Sequence, residues 1–510
     1  MPRYAAIDIG SNSVRMLAAE TAPGRATKIL AAERQVTRLG AGVFLNGKIP
    51  PDAIELVCES LARMAKVFNQ LDVVGVRAVA TSAVRDASNQ QEFLDRAAQV
   101  LGRPVEIISG QEEARLIHLG VEATWPQPDK RVLIIDVGGG SAEIILGENG
   151  TFSEAFSKPL GAVRLTEVFL KSDPPLPLEL HRLNEYIEEK LATPLRRIGA
   201  GPFDRVIATS ATAAAIVCAV NRVRRSRRDE ADRLKASAAQ IRKFYREVCE
   251  RDLAARRKIL GIGPKRAELI VAGAAVFLRA LELFHQPALH YSAAGVRDGI
   301  IADLASRSVG RELSMLNGDQ RRAVEQMARR YGVQVTHARK VAELARRLFE
   351  SLQSLHRLPP TLAKLLEAAA YLHDVGHYVS DTAHHKHSYY LVINSDLPGF
   401  TDTERQMIAL LCRYHRRSMP VSRHSPFQTL DPEAQRAILL LTPLLRIADS
   451  LDRSHDQRVS DLQVQLRNGS VAIALESGQD TDLEVWAAER VADSFRETYQ
   501  LPLTLTKVRS

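Results

Sequence analysis

The chain has 510 residues, 45% of them hydrophobic and 25% charged, which is typical of a globular protein with full hydrophobic cores and excludes disordered and fibrous classes. The length suggests roughly three domains. The net charge of +9 indicates an anionic partner, either nucleic acid or a polyphosphate. Four scattered cysteines predict reduced thiols in a cytoplasmic protein. The first residues are predicted to form a strand, so we expect no signal peptide. No apolar run approaches the ~20 residues of a membrane span, so we expect no membrane partner.

The first motif lies at the N-terminus, where residues 5–18 read AAIDIGSNSVRMLA. An apolar strand ends at Asp8, a polar turn carries Ser11, Asn12 and Ser13, and a second apolar strand follows. Taken alone, such a sequence is also compatible with a plain hairpin.

The motif recurs at residues 132–147, which read VLIIDVGGGSAEIILG. Glycines let backbone amides approach an anion that any Cβ would hold away, and Asp136 is placed to hold a divalent cation against that anion. The repeat predicts two similar half-domains that face each other across a phosphate, as in the actin/sugar-kinase superfamily. The loop contributes four candidate phosphate-binding residues: Gly138, Gly139, Gly140 and Ser141.

Between the two loops, apolar spacing predicts a helix over 52–69, and a strand from Val73 leads to Arg85. Another strand, 105–108, precedes Ser109, which with Glu112 predicts a capping box at a helix start. Glu113 has no such structural role. It is a candidate general base or a solvated first-turn acid.

After the second loop, a strand over 206–208 precedes an alanine-rich helix, and residues 222–228 read RVRRSRR. This basic run is either a solvated face or a surface that attracts a polyanion. A helix is predicted from Ile262 through Phe284 with Lys265 and Arg266 in its first turn, where an anion would explain the two cations. A strand at 289–291 then leads to SAAGVRDG.

The character of the chain changes at about residue 307. Helical patterns carrying most of the histidines follow to about residue 453, and the remainder from Val459 is predicted as strand, strand, helix, strand.

Together the two loops, Arg85, ISGQEEARL, PKRAELIVAGAA and SAAGVRDG resemble the exopolyphosphatase/guanosine pentaphosphate phosphohydrolase (Ppx/GppA) family over nearly the whole chain. The resemblance implies an α/β fold of two actin-like half-domains, an all-α HD-type domain and a small C-terminal αβ unit. The predicted domains are 1–127, 128–306, 307–458 and 459–510.

The resemblance also implies roles for individual residues. Glu113 matches the glutamate that deprotonates the attacking water, and Asp136 and Glu143 match acids of a magnesium site. Arg266 matches a cation used on the rest of the substrate. Gly138, Gly139 and Ser141 match the loop that holds the terminal phosphates, and Asn12 and Arg85 match side chains that face them. The other candidate phosphate-binding residues of the two loops are Ser11, Ser13 and Gly140. Two positions depart from the family pattern, Ala211 for a glycine and Ala293 for an aspartate or glycine.

The helical region contains YLHDVGHY at 371–378, which resembles HD-type metal phosphohydrolases. A metal site would use His337, at the head of an amphipathic helix, with His373, Asp374 and Asp449. Imidazole and carboxylate ligands suit manganese, iron or zinc. The residues assigned to a second metal position are His385, His387 and His415. The alternative is a vestigial fold that keeps buried, hydrogen-bonded histidines.

The sequence therefore predicts a cytoplasmic exopolyphosphatase, with magnesium as cofactor and a homodimer implied by the resemblance. Hydrolysis of guanosine pentaphosphate is the alternative substrate. An actin-fold kinase would need a glycine-rich adenosine loop, and residues 209–212 contain no glycine. A nucleic-acid-binding regulator would explain the charge, but no nucleic-acid-binding motif is recognisable, so we expect no nucleic-acid partner.

Overall fold

The computed structural model describes residues 1–22, 27–307, 314–467 and 469–509. The chain divides into two compact units, Met1–Ser308 and Val309–Ser510.

The strands of the first unit are β1 (Arg3–Ile9), β2 (Ser13–Glu20), β3 (Lys28–Val36), β4 (Gly75–Ala80), β5 (Val105–Ile107), β6 (Arg131–Val137), β7 (Ala142–Glu148), β8 (Thr151–Lys158), β9 (Arg205–Thr209), β10 (Lys235–Ser237) and β11 (Ala288–Tyr291). Its helices are α1 (Val43–Asn46), α2 (Pro51–Gln70), α3 (Ser82–Asp86), α4 (Gln90–Leu101), α5 (Gly110–Thr124), α6 (Ala162–Phe169), α7 (Pro177–Ile198), α8 (Ser210–Val220), α9 (Ala238–Glu250), α10 (Leu253–Arg256), α11 (Ile270–Leu283) and α12 (Val296–Ser306). A 3₁₀ helix spans Arg225–Ala231.

The strands form two sheets of the same design. One has the order β3-β2-β1-β4-β5, and the other contains β8-β7-β6-β9-β11 with β10 added at its edge. In each sheet the first three strands are antiparallel, and the remaining two core strands continue parallel to the first. The repeated loop motif thus corresponds to a repeated half-domain, which confirms the predicted actin-like architecture.

Alternation of side chains along β1 explains how the sheet is buried on both faces. Ala5 and Ile7 belong to the core shared with α2 and α4, whereas Tyr4 and Ala6 pack with α5 and α12. Helices α5 and α12 pack with their backbones very close to each other. Glycine at position 299 permits this approach, because a Cβ there would overlap the backbone of Leu116. This close packing fixes the start of α5, which carries Glu112 and Glu113.

The helices of the second unit are α13 (Gly318–Arg330), α14 (Val335–Ser351), α15 (Gln353–His356), α16 (Ala363–Leu372), α17 (His384–Ile393), α18 (Asp402–Tyr414), α19 (Ser425–Gln428), α20 (Pro432–Ser450), α21 (Asp482–Glu489) and α22 (Ala492–Tyr499), with 3₁₀ helices at Pro360–Leu362 and Val375–Tyr378. Its strands β12 (Asp461–Arg467), β13 (Ser470–Ser477) and β14 (Leu503–Arg509) form one sheet in the order β12-β13-β14. The sheet and the helices share one core, and the Tyr499 hydroxyl donates a hydrogen bond to the Leu440 carbonyl.

Three local predictions are corrected by the structure. The helix predicted from Ile262 begins at Ile270, because the preceding residues form successive turns in which the Arg266 amide donates to the Gly263 carbonyl. The C-terminal segment has two helices, α21 and α22, where one was predicted. Ser109 does cap α5 by accepting from the Glu112 amide, but the Glu112 carboxylate is bonded to buried arginines.

Candidate active site

The two repeated loops meet at a cleft of about 370 Å³ in the first unit. Each loop is a tight hairpin, in which the Gly10 amide donates to the Ser13 carbonyl and the Gly138 amide donates to the Ser141 carbonyl. Most of the predicted site residues line this cleft: Ser11, Asn12, Ser13, Glu113, Asp136, Gly138, Gly139, Gly140, Ser141 and Arg266.

Glycine is required where the loops approach each other. A Cβ on Gly139 would lie 2.9 Å from the Cβ of Ser11, and one on Gly140 would overlap the Ser82 hydroxyl. Ser11 is 3% exposed and its Oγ has no hydrogen-bond partner. An unpaired buried hydroxyl at the mouth of two glycine loops is a donor available to an anion.

Four carboxylates converge on the cleft from β1, α5, β6 and β7. Asp8, Asp136, Glu113 and Glu143 all have pKa values raised by burial, and Glu143 is raised to about 7 by burial and by the charge of Asp136. Glu143 is fully buried and is not among the residues that line the cleft. Its Oε1 accepts a hydrogen bond of 2.8 Å from the Ser157 hydroxyl, and its Oε2 has no partner.

This set of carboxylates fits a magnesium ion. Asp136 Oδ2 accepts from the Thr209 hydroxyl, which orients the carboxylate at the strand end. A buried oxygen on Glu143 that makes no hydrogen bond and lies near the charge of Asp136 raises the free energy of the ionised site unless a cation is bound. Carboxylate oxygens are ligands that suit Mg²⁺.

Glu113 lies in the first turn of α5 and is 8% exposed. Burial and the charge of Glu143 raise its pKa well above the ordinary value, and its Oε2 makes no hydrogen bond. Arg85 is not among the residues that line the cleft. Its Nη1 donates to the Ile108 carbonyl and lies 3.8 Å from Glu113 Oε2, so Arg85 faces the glutamate.

The far end of the cleft is strongly basic. Arg266 donates to the Thr212 hydroxyl, and burial together with the charges of Arg15, Arg34 and Arg228 lowers its pKa to about 9. Arg15 and Arg34 are direct cross-strand partners on β2 and β3, an arrangement in which like charges repel. Burial and these neighbours lower the pKa of Arg34 to about 10. Asp8, the cross-strand partner of Arg15 on β1, offsets part of this repulsion, and a bound anion would offset more of it.

A second cavity of about 380 Å³ continues from this basic end. The two cavities share Asn12, Arg34, Ala211, Arg228 and Arg266, and the second adds further cations. The cationic residues lining the second cavity are Arg34, Arg225, Arg228, Lys265 and Arg266.

Several residues of the basic end were not predicted individually. The period of two along β2 places Arg15 on the same face as Ser13, and this signal could have identified it. Arg34 becomes a neighbour only through pairing of β3 with β2. Of the run at 222–228, Arg228 is half-buried and donates to the Tyr291 hydroxyl at 2.7 Å, whereas Arg227 is exposed and paired with Glu230.

The second unit brings together a separate set of predicted residues. His337, His373 and Asp449 offer ligand atoms within 4.8 Å of one another, and Asp374 does so with His377 and His384. Burial lowers the pKa of His373, but the charges of Asp374 and Asp449 outweigh it and raise the value to about 9. The Nε2 atoms of His337 and His373 are buried without hydrogen-bond partners.

His385, His387 and His415 are placed differently from one another. His415 Nε2 lies 3.7 Å from Asp374 Oδ1 and belongs to the histidine cluster. The His385 ring lies 6.5 Å from that of His415. Among the residues that the structure describes, neither His385 nor His387 falls within a group of potential metal ligands. His377 and His384, which the sequence did not single out, do.

No helix in the described part of the chain combines the length and apolar character needed to cross a membrane. The four cysteines are all free thiols.

Comparison with known proteins places the chain among phosphatases. The model of the Ppx/GppA phosphatase family matches residues 17–308, and the model of domain III of Ppx/GppA phosphatases matches residues 320–488. A Ppx/GppA family member from Aquifex aeolicus is 31% identical, with a TM-score of 0.54 over 61% of this chain and 99% of its own. An exopolyphosphatase from Cytophaga hutchinsonii is 25% identical, with a TM-score of 0.55 over 59% of this chain and 97% of its own. An exopolyphosphatase-like protein is 27% identical, with a TM-score of 0.57 over 60% of this chain and 98% of its own.

Proposed function

Because the chain belongs to the Ppx/GppA phosphatase family, we propose that it is an exopolyphosphatase, which removes the terminal phosphate from linear inorganic polyphosphate. The broader activity, hydrolysis of a phosphoanhydride, follows from the family itself. The observation that carries the choice of substrate is the basic cavity that continues the cleft away from the carboxylates.

In the proposed reaction Glu113 takes a proton from a water molecule as the water oxygen attacks the terminal phosphorus. The bridging P–O bond then breaks, and the shortened chain leaves as an anion. The burial of Glu113 and its unpaired Oε2 support this role, since a general base needs a free carboxylate oxygen facing the reacting water.

The two loops supply the groups that neutralise the phosphoryl oxygens. The amides of Gly138, Gly139 and Gly140, with the hydroxyls of Ser11 and Ser141, face the cleft where the terminal phosphate would bind. Phosphoryl transfer depends mainly on such positioning and charge neutralisation, and little on covalent chemistry.

Asp136 and Glu143 are the residues that would hold magnesium. When bound there, the ion would neutralise charge on the phosphate oxygens. Arg85 would orient the Glu113 carboxylate through their 3.8 Å approach. Asn12 and Ser13 would contact the terminal phosphates from the first loop, and Arg266 would bind the phosphates that follow, since all three line the cleft.

The basic cavity favours the polymer over the nucleotide. A polyphosphate presents a charge on every unit and matches a row of cations along its length. A guanosine base would stack best on an aromatic side chain, and none lines the second cavity, whose lining besides the cations is made of small, polar and aliphatic residues such as Val36 and Pro264. Guanosine pentaphosphate remains the second candidate, because its terminal phosphate requires the same loops.

Phosphate release tests the proposal. With Mg²⁺ present, kcat/KM should be highest for long-chain polyphosphate, lower for guanosine pentaphosphate and lowest for ATP. A higher value for guanosine pentaphosphate would favour the second candidate. Transfer of phosphate from ATP to an acceptor, without release of phosphate from polyphosphate, would instead indicate a kinase.

For the second unit we propose a divalent transition-metal site at His337, His373, Asp374 and Asp449. The buried Nε2 atoms of His337 and His373 support it, because neither makes a hydrogen bond and they lie 3.6 and 3.3 Å from Asp449 Oδ1. Metal analysis of protein purified without chelator should find bound manganese, iron or zinc, and absence of any such metal would leave the vestigial interpretation. We also propose that the enzyme is cytoplasmic and that it forms a homodimer. Sedimentation equilibrium can test the dimer.

A further inference from the structure

The second loop, residues 138–141, turns its carbonyl oxygens toward the start of α6. The carbonyls of Gly138 and Gly139 accept hydrogen bonds of 2.8 to 3.1 Å from the first backbone amides of this helix. The helix can lie this close because residue 161 is glycine, where a Cβ would lie 2.3 Å from the Gly139 carbonyl. The backbone of α6 thus orients two peptide groups of the loop, whatever side chains the helix carries.

The next carbonyl, that of Gly140, is bound by a side chain. Arg164 Nε donates to it at 2.7 Å, and among the described residues no backbone amide does. A glycine backbone rotates readily, because no Cβ restricts its dihedral angles. The orientation of the peptide group between Gly140 and Ser141 therefore depends on Arg164.

The direction of each carbonyl decides where the following amide points. The peptide bonds of the loop are trans, and in a planar trans peptide the C=O and N–H groups point in opposite directions. Because the carbonyls face α6, the amides of Gly139, Gly140 and Ser141 face the other side, where the loop lines the cleft. None of the three donates to a backbone carbonyl within the part of the chain that is described. Successive N–H groups of this kind form a concave site for an anion.

The guanidinium of Arg164 also connects the loop to the first half-domain. Its Nη2 donates to the Ser82 hydroxyl at 3.3 Å and to the Asp86 carboxylate, both on α3. Its Cζ lies 3.9 Å from the centroid of the Phe44 ring on α1. A single side chain, 18% exposed, therefore holds the Gly140 carbonyl, α1 and α3 together.

This set of contacts requires an arginine. The carbonyl, the hydroxyl and the carboxylate are all acceptors, and a guanidinium presents five N–H donors in one plane whose face stacks on an aromatic ring. A lysine carries the same charge on a compact ammonium at the end of a flexible chain. It lacks the planar donors that reach the Gly140 carbonyl and Asp86 at the same time.

We propose that Arg164 is a positioning residue for hydrolysis, which locks the peptide between Gly140 and Ser141 so that the Ser141 amide faces the terminal phosphate. The inference rests on the binding of that phosphate at the second loop, as proposed above, and adds the residue that orients the loop. Without Arg164 the peptide can turn over, and a carbonyl oxygen then faces the anionic substrate in place of a donor. A donor aimed at developing charge acts mainly in the transition state, so its loss should lower kcat more than it raises KM.

The kinetics of Arg164→Lys test the proposal. With Mg²⁺ present, we expect kcat for phosphate release from long-chain polyphosphate to fall about 10²–10³-fold, the usual effect of removing one oriented donor. KM should stay nearly unchanged, because the basic cavity that binds the rest of the chain is intact. The matched control is Arg96→Lys on α4, a partly exposed arginine paired with Glu55, which should change neither constant.

A second variant separates the two contacts of the guanidinium. Asp86→Asn removes the charge that ties Arg164 to α3 and keeps the bond to the Gly140 carbonyl. Because Asp86 is 39% exposed, we expect kcat to fall less than about fivefold. A loss in Asp86→Asn as large as in Arg164→Lys would overturn the proposal, since the effect would then lie in the connection to α3.

Chemical rescue separates positioning from a general loss of structure. In Arg164→Ala, added N-ethylguanidinium can bind against Phe44 and donate to the Gly140 carbonyl. We expect it to raise kcat at least about tenfold, whereas ethylammonium at the same concentration should not, because it lacks the planar donors. Equal rescue by the two cations would overturn the proposal, because Arg164 would then act only through its charge. Circular dichroism of each variant checks that the chain is folded.

Failure here is distinguishable from failure of the proposed function. If the wild type releases phosphate from guanosine pentaphosphate and not from polyphosphate, the same variants measured on that substrate still test Arg164, since the second loop would bind the terminal phosphate of either. An active wild type together with an Arg164→Lys variant that keeps more than about a tenth of its kcat would overturn only the positioning role.

Discussion

Two adjacent glutamates in the first turn of α5 have opposite environments. Burial would raise the pKa of Glu112, but Arg115 and Arg77 outweigh it and lower the value. Glu113 faces the cleft, where burial and Glu143 raise its pKa. The ~100° rotation between successive helix positions gives Glu112 a structural role and leaves Glu113 available to water.

Replacing the carboxylate of Glu113 should abolish proton transfer while leaving substrate binding intact. We expect Glu113→Gln to lower kcat about 10²–10⁴-fold, because an amide cannot accept the proton of water. Phosphate release and polyphosphate binding measured on one preparation would test this. The control is Glu92→Gln, an exposed first-turn glutamate of α4, and more than about a tenth of wild-type kcat in Glu113→Gln would exclude the general-base role.

The basic run at 222–228 offers a matched pair of arginines. Arg228 lines both cavities, and Arg227 is exposed. We expect Arg228→Gln to raise KM for long polyphosphate by roughly 10-fold or more at low salt, since a charged hydrogen bond contributes about 1.5–3 kcal/mol. Arg227→Gln should change KM less than about twofold. Equal effects of the two variants would mean that the run acts only through its total charge.

At the scale of elements, α5 and α12 are held together by a buried charge network. Asp303 on α12 accepts hydrogen bonds from Arg77 and Arg115, and Arg115 also bonds Glu112. Arg115 is 2% exposed, so its charge depends on these carboxylates. The network connects β4, α5 and α12 and thereby fixes the first turn of α5, on which Glu113 lies.

Removing one member of this network should be strongly destabilising. We expect Asp303→Asn to lower the free energy of unfolding at pH 7 by about 3–5 kcal/mol, because it leaves Arg115 and Arg77 undercompensated. Urea unfolding, with the exposed Asp95→Asn as control, would measure the loss. A change below about 1 kcal/mol would show that the remaining carboxylates suffice.

The same variant has a defined pH dependence. Burial raises the pKa of Asp303, but Arg115, Arg307 and Arg77 outweigh it and hold the value below the ordinary one. A depressed pKa contributes stability that is present above the unfolded value and is lost as the pH falls through the folded value. The difference between wild type and Asp303→Asn should therefore shrink below about pH 4.

At the scale of the whole molecule, the chain combines two chemically different sites. The cleft is built from oxygen ligands, glycine amides and arginines of the first unit. The second unit concentrates imidazoles around Asp374. The Aquifex aeolicus relative aligns over 99% of its own length with 61% of this chain, so a family member of about the size of the first unit exists as a folded protein.

A chain of residues 1–307 should therefore retain phosphate release. All residues of the cleft and of the basic cavity lie within this range, so we expect kcat within about tenfold of the full-length value, which corresponds to about 1.4 kcal/mol in barrier height. The matched control is the same truncation carrying Glu113→Gln. If the truncated chain is folded by circular dichroism but releases no phosphate, the second unit contributes to the reaction.

The sequence was most informative where a local rule applied. The two loop motifs predicted two hairpins, both of which are present, and the apolar spacing of 52–69 predicted α2. It was less informative where tertiary contacts override local preference. The start of α11 shifted to Ile270 because the turns before it carry Arg266, which lines the cleft, toward the buried Thr212. The predicted domain limits and the roles of the site residues stay predictions.

By itself, the sequence determined the family, the duplicated half-domains and the helical character of the second part. These depend on glycine-rich loops and on strand or helix periodicity, which are properties of neighbouring residues. Only the tertiary structure decided which charges meet. Arg15 faces Arg34 because β2 pairs with β3, and Arg228 joins them from a distant 3₁₀ helix. Likewise, Asp374 is surrounded by His377, His384 and His415. On α17 the packing of the helix turns His384 toward Asp374 and leaves His385 and His387 away from it, which residue spacing alone does not encode.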